Sequence, residues 1–88
     1  MRDLKKYIGY TYCGLTNDIQ SEKQLHNNPS DFTVFKFNSQ KIAKSWIRTM
    51  LKMNYSIGEQ NHIDWQYGYL YTVSERTSEL NRRTQLAD

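Results

Sequence analysis

The sequence predicts an α+β fold: a small three-stranded, mainly antiparallel sheet in β-β-α-β order, with one amphipathic helix packed on one face. Two patterns predict it. Ile42, Ala43, Trp46, Ile47, Met50 and Leu51 recur at three- and four-residue spacing, the period of one helical face. Three other runs, at 7–13, 32–37 and 64–73, are dense in aromatic and β-branched side chains and are bounded by Gly, Asn, Asp or Ser, as strands are. A chain of 88 residues holds one domain with one modest core. Apolar residues make up only 38% of it, so that core depends on large rings, drawn from seven Tyr, three Phe and two Trp.

In chain order, the first strand covers 7–13 (YIGYTYC) and puts Ile8, Tyr10 and Tyr12 on one face before Gly14. Residues 14–31 form a long ordered connection, in which Asp18 caps a short turn of helix that ends near His26. The second strand, FTVFKF at 32–37, has Phe35 and Phe37 on one side and Phe32 and Val34 on the other, which predicts burial on both. Asn38 or Ser39 caps the helix, which runs over 39–54 and stops at Asn54, a residue type that tolerates the left-handed conformation. Residues 55–63, with Gly58, read as loop. The third strand, 64–73, alternates Trp65, Tyr67, Tyr69, Tyr71 and Val73 with smaller residues. The helix returns the chain so that the third strand runs parallel to the second and antiparallel to the first, with the first in the middle. One sheet face packs on the helix, and the other needs water, the tail or a partner. The domain is thus 1–73, and 74–88 is a polar C-terminal tail or weak helix whose only apolar residues are Leu80, Leu86 and Ala87.

Charge is sorted along this framework. Twelve Lys and Arg against nine Asp and Glu give a mild +3, but five of the basic residues (Lys36, Lys41, Lys44, Arg48 and Lys52) lie between Lys36 and Gly58, where there is no acidic residue. On the helix, Lys41, Lys44, Arg48 and Lys52 are offset by three, four and four residues, on the side away from Trp46 and Met50. Like charges at this spacing repel, so an unrelieved row suggests an anionic partner; the plain alternative is a solvated helix face. Tyr67, Tyr69 and Tyr71, like Tyr10 and Tyr12, are candidate anchors if they stand on an open sheet face, and core side chains if they pack inward. Arg82 and Arg83, with Arg76, form a smaller basic cluster in the tail.

Catalytic equipment is sparse. Cys13, the one cysteine, sits in a strand and reads as a buried structural thiol. His26 and His62 fall in loops without ligand-spaced partners and read as ordinary surface histidines. Asp18, Glu22 and Asp31 share the long connection at no more than chance density. Nucleophile elbows, phosphate-cradling glycine loops and zinc-binding cysteine pairs are absent from the sequence. The expectation is a protein that is not an enzyme and uses no cofactor or metal. A lone cysteine, no secretory leader and no apolar run long enough for a membrane span suggest the cytoplasm.

In type, this small Tyr- and Asn-rich chain without catalytic residues is similar to the inhibitor proteins that phages and mobile elements direct at host enzymes and defence complexes, the anti-CRISPR proteins among them. That resemblance implies a protein-binding inhibitor or regulator whose partner has an acidic surface, such as a nucleic-acid-processing complex. Its candidate partner-binding residues are Lys41, Lys44, Arg48, Lys52, Tyr67, Tyr69 and Tyr71. The alternative readings are a basic nucleic-acid-binding protein that uses the same helix face, and a homodimer or larger homo-oligomer formed through the uncovered sheet face; none involves a membrane.

Overall fold

Gly9 sets the start of the first strand. Its φ of 93° lies where only glycine is comfortable, and it turns the chain after a 3-10 turn at Leu4–Tyr7. Tyr10 N donates to Tyr7 O (2.9 Å) and Gly9 N to Val73 O (2.9 Å), which closes the turn. The strand expected at 7–13 therefore begins later, as β1 at Thr11–Thr16, and Gly14 lies inside it rather than beyond its end. The structure is a computed structural model that describes residues 4–59, 64–78 and 84–85. His62, Leu80, Arg82, Arg83, Leu86 and Ala87 lie outside the described residues.

The short helix in the long connection is α1, Ile19–Leu25, capped by Asp18 and ending at His26 as expected. It is followed by β2 (Thr33–Lys36), α2 (Gln40–Lys52), β3 (Ser56–Glu59), β4 (Tyr67–Thr72) and the two-residue β5 (Thr84–Gln85). The α+β class is correct, but the sheet is larger and mixed. Four strands, extended at one edge by β5, lie in the order β2-β4-β1-β3-β5.

Three expectations about the sheet are corrected. First, residues 56–59, read as loop, form β3 and pair in parallel with β1, from Thr11↔Ser56 to Cys13↔Gly58. The SIGE segment is short and carries a glycine, so its strand character comes from the neighbour it meets rather than from propensity. Second, β4 inserts between β1 and β2 and is antiparallel to both, so β4 is not parallel to β2, and β1 and β2 do not pair. The crossover through α2 joins β2 to β3, two parallel strands with β4 and β1 between them. Third, β2 is an edge strand with all four residues exposed, although its pattern suggested burial on both sides. Its rings gain cover from outside the strand: Phe35 and Phe37 each lie 5.4 Å from Trp46.

Of the two readings of the alternating tyrosines, the core is the correct one, on the sheet face opposite α2. On one sheet face Cys13 and Leu15 pack on Ala43 and Ile47 of α2, with Trp46, Met50, Leu51, Phe37, Trp65 and Leu70 around them. The tyrosines project to the opposite face, where Tyr12, Tyr69 and Tyr71 are fully buried, joined by Tyr7 and Val73. That face is not open. It is covered by α1 and by residues after Val73: Ser78 N donates to His26 O (3.2 Å). Part of the expected tail is therefore tied to the domain, and Thr84–Gln85 pairs with β3 at the far edge.

Sandwiching the central strand between two layers leaves all of β1 beyond Thr11 buried, and the Cys13 thiol feels this directly. Burial pushes its pKa up to about 12, because the thiolate would lose its solvation. Iodoacetamide should leave Cys13 unmodified in the native protein at pH 8 and label it fully in urea. The unfolded thiol ionises near 9 and the folded one near 12, so this contribution to stability is intact below pH 9 and falls as pH rises from 9 to 12. Across that range the urea midpoint should decline more steeply in wild type than in Cys13→Ser, the excess being the thiol's share.

Candidate functional site

Ser39, one of the two expected caps, starts α2 by accepting from Ile42 N (3.2 Å), which leaves the helix free to bury Ala43 and Ile47 on its inner face. With about 100° between successive residues, Lys44, Arg48, Lys41 and Lys52 fall within an arc of about 80°, on the flank opposite Trp46. Trp46 leans toward β2 and β4, and Leu51 toward Gly58 of β3. The basic row thus lies along the β3 side of the helix and spans about 16 Å. Lys41, Arg48 and Lys52 are exposed and Lys44 is half-buried.

None of the four pairs with a carboxylate among the described residues, and Asp18, Glu22, Asp31 and Asp64 are engaged elsewhere. Asp18 caps α1, where the backbone N–H and hydroxyl of Ser21 hold its carboxyl below the usual range. Asp31 accepts from Thr72 N (3.0 and 3.2 Å) and Asp64 from the Asn17 amide (3.2 Å). Glu22 is buried beside His26.

The row ends near an unusual residue. The helix closes at Met53 in extended conformation, and the left-handed residue is Tyr55 (φ 62°), not Asn54. A bulky residue adopts this conformation only when held there. Tyr55 O accepts from Thr11 N (2.7 Å), and its ring meets Tyr10 edge-on at 5.1 Å. At 68% exposure it is the most exposed large apolar side chain among the described residues. Tyr69 and Tyr71, expected as anchors, are 0% exposed and cannot touch a partner in this fold. Tyr67 is half-buried, opposite Lys36 and Thr16 in the sheet.

Tyr69 and Tyr71 instead belong to a buried polar cluster that the sequence reading missed. His26, expected at the surface, is 0% exposed, and Glu22, one turn earlier on α1, is 6% exposed. His26 Nδ1 lies 2.6 Å from Ser78 O, which can only accept, so that nitrogen carries a hydrogen. The Tyr71 hydroxyl is 3.0 Å from the same nitrogen. The Tyr69 hydroxyl sits between His26 Nε2 (3.1 Å) and Glu22 Oε1 (2.9 Å), to which it donates. A protonated ring would be paired with Glu22 at 3.9 Å. Tyr12 completes the cluster, with its ring 4.8 Å from the imidazole and 5.4 Å from Tyr71. Gly14 makes room, since a side chain there would collide with the Tyr69 ring. The signal was present as Ile19, Glu22 and His26 at spacing three and four, but the face it marks is polar and Leu25 of the same helix is 44% exposed.

Among the described residues the donors and acceptors of the cluster answer one another, as in a structural network. Beside it lies a polar cleft of about 620 Å³ between residues 27–31 and 72–77. Its polar groups are likewise turned inward: the Asn27 amide donates to Arg76 O, Thr77 Oγ1 to Ser74 O, and Asp31 holds Thr72 N. Among the described residues no three His, Cys, Asp or Glu side chains are grouped to hold a metal ion, and no helix is long and apolar enough to cross a membrane. The chain matches no protein-family model, no curated protein and no solved structure.

Proposed function

We propose that the chain is a small non-enzymatic protein that binds another protein and inhibits or regulates it, docking the β3-side flank of α2 on an acidic surface. The observation that supports this reading is the row Lys41, Lys44, Arg48 and Lys52, four cations on one flank with no carboxylate partner among the described residues. Tyr55, three residues past Lys52, adds a large exposed ring of the kind that anchors interfaces. In this reading the charges steer encounter and fix orientation, while the ring supplies contact area.

The partner in this proposal is a nucleic-acid-handling or defence complex that presents an acidic surface to the row. The setting is a reducing compartment, the cytoplasm, in keeping with the buried free thiol of Cys13. Burial of Tyr69 and Tyr71 favours a protein over single-stranded nucleic acid, because it removes the tyrosines that would have stacked bases.

The test is affinity capture from host lysate with and without nuclease, using wild type and Lys44→Glu/Arg48→Glu. A protein should be captured in equal amount under both conditions, and the double variant should bind it at least about tenfold more weakly. Each charge reversal should shift unfolding free energy by no more than about 0.5 kcal/mol, as surface substitutions do. Capture that disappears with nuclease, or is unchanged in the double variant, would remove the α2 flank from the account.

A further inference from the structure

The geometry points to a second docking surface, independent of the α2 basic row: the outer edge of β2 accepts an extended acidic segment of another protein, which adds to the sheet as a further strand. The register carries the argument. Thr33 and Phe35 sit opposite Leu70 and Gly68, and Phe37 N donates to Gln66 O (2.9 Å), so the odd-numbered residues from 33 to 37 turn their backbone groups toward β4. Backbone groups alternate along an antiparallel strand, so the N–H and C=O of Val34 and Lys36 point outward. No described residue pairs with them.

An open edge with apolar side chains on both faces is the form that strand addition uses. On the α2 side, Phe35 is 38% exposed against Trp46, and Ile42, one helical turn before Trp46, is 55% exposed. On the other side, Val34 is 42% exposed. An incoming strand would set alternate side chains against Phe35 and Ile42 on one face and Val34 on the other.

Charge selects the occupant. No acidic residue occurs from Phe32 to Gly58, Lys36 stands exposed on the edge itself, and Asp31 at its start is engaged by Thr72. A second copy is the wrong partner: two antiparallel β2 edges would bring the two Lys36 side chains close together, between molecules that each carry +3. Glu or Asp flanking alternating apolar residues answers both features.

The probe is a soluble peptide of alternating Val and Glu, about ten residues long to overspan the edge, titrated into the isotope-labelled full chain. Amide exchange at Val34 and Lys36 should slow by at least about tenfold at saturation, while the matching Val–Lys peptide has no effect. Val34→Pro deletes an outward N–H and leaves the bonds to β4 in place. It should weaken binding by about tenfold, with protection at Phe35 and Phe37 retained. If that variant loses its fold, Lys36→Glu gives the same reading through charge and should weaken the Val–Glu peptide selectively. Unchanged exchange at Val34 and Lys36, full affinity in both variants, or equal binding of the Val–Lys peptide would overturn the inference. So would a wild-type dimer in sedimentation that Val34→Pro dissociates, which would make a second copy the occupant.

Discussion

His26→Ala is expected to destabilise the protein by about 3–5 kcal/mol, as truncation of a buried ring with polar partners does. Two costs combine. The imidazole fills the space between Tyr12, Tyr69 and Tyr71, with centroid separations of 4.8, 5.6 and 5.3 Å, so its removal leaves a cavity lined by rings. It also takes the hydrogen-bond partner from Ser78 O and contacts from two buried hydroxyls. A domain of this size has of order 5–10 kcal/mol in total, so the variant should be close to unfolding at 37 °C. Urea titration read by tyrosine fluorescence and far-UV circular dichroism measures it. His26→Gln keeps a donor in reach of Ser78 O and should recover part of the loss. A cost below about 1 kcal/mol would show that the cluster relaxes around the missing ring.

Gly58→Ala should be the most damaging single-carbon addition, at about 3 kcal/mol, the upper end of the range for overpacking. A Cβ at this position would run into the Cys13 carbonyl oxygen of the neighbouring strand and lie 3.2 Å from Leu51 Cδ2. A side chain can swing aside, but the Cys13 carbonyl belongs to the buried central strand and has nowhere to go. The contrast is Gly9→Ala, where nothing lies within 4 Å of the added carbon and the cost is the positive φ alone. Thermal melts of the two variants should rank Gly58→Ala well below Gly9→Ala; the reverse order would mean that β3 sits less tightly on β1 than described.

The helix α2, its Ser39 cap and its basic row were legible because each is local: apolar period, cap and charge spacing all act within a few turns. The short helix between Asp18 and His26 was legible for the same reason. Three things were not. β3 was invisible because four residues with a glycine carry almost no propensity, and only the pairing with β1 makes them a strand. The insertion of β4 between β1 and β2 is a choice among long-range pairings that no short window contains. The buried state of Glu22 and His26 contradicts the usual sorting of polar residues to the surface, and it becomes reasonable only when the hydroxyls of Tyr69 and Tyr71 arrive from a distant strand to meet them. These tyrosines misdirected the site: their alternation read equally well as an exposed platform or a core, and the hidden polar cluster decided for the core.

The central position of β1 has a consequence for biosynthesis. Both of its neighbours come late in the chain, since Thr11 pairs with Ser56 on one side and Thr72 on the other. At about 5–20 residues per second of synthesis, the nascent chain carries this apolar, unpaired strand for several seconds before either neighbour exists. During that time β1 is the segment with the greatest need of shelter, and early engagement by a holding chaperone follows from the topology.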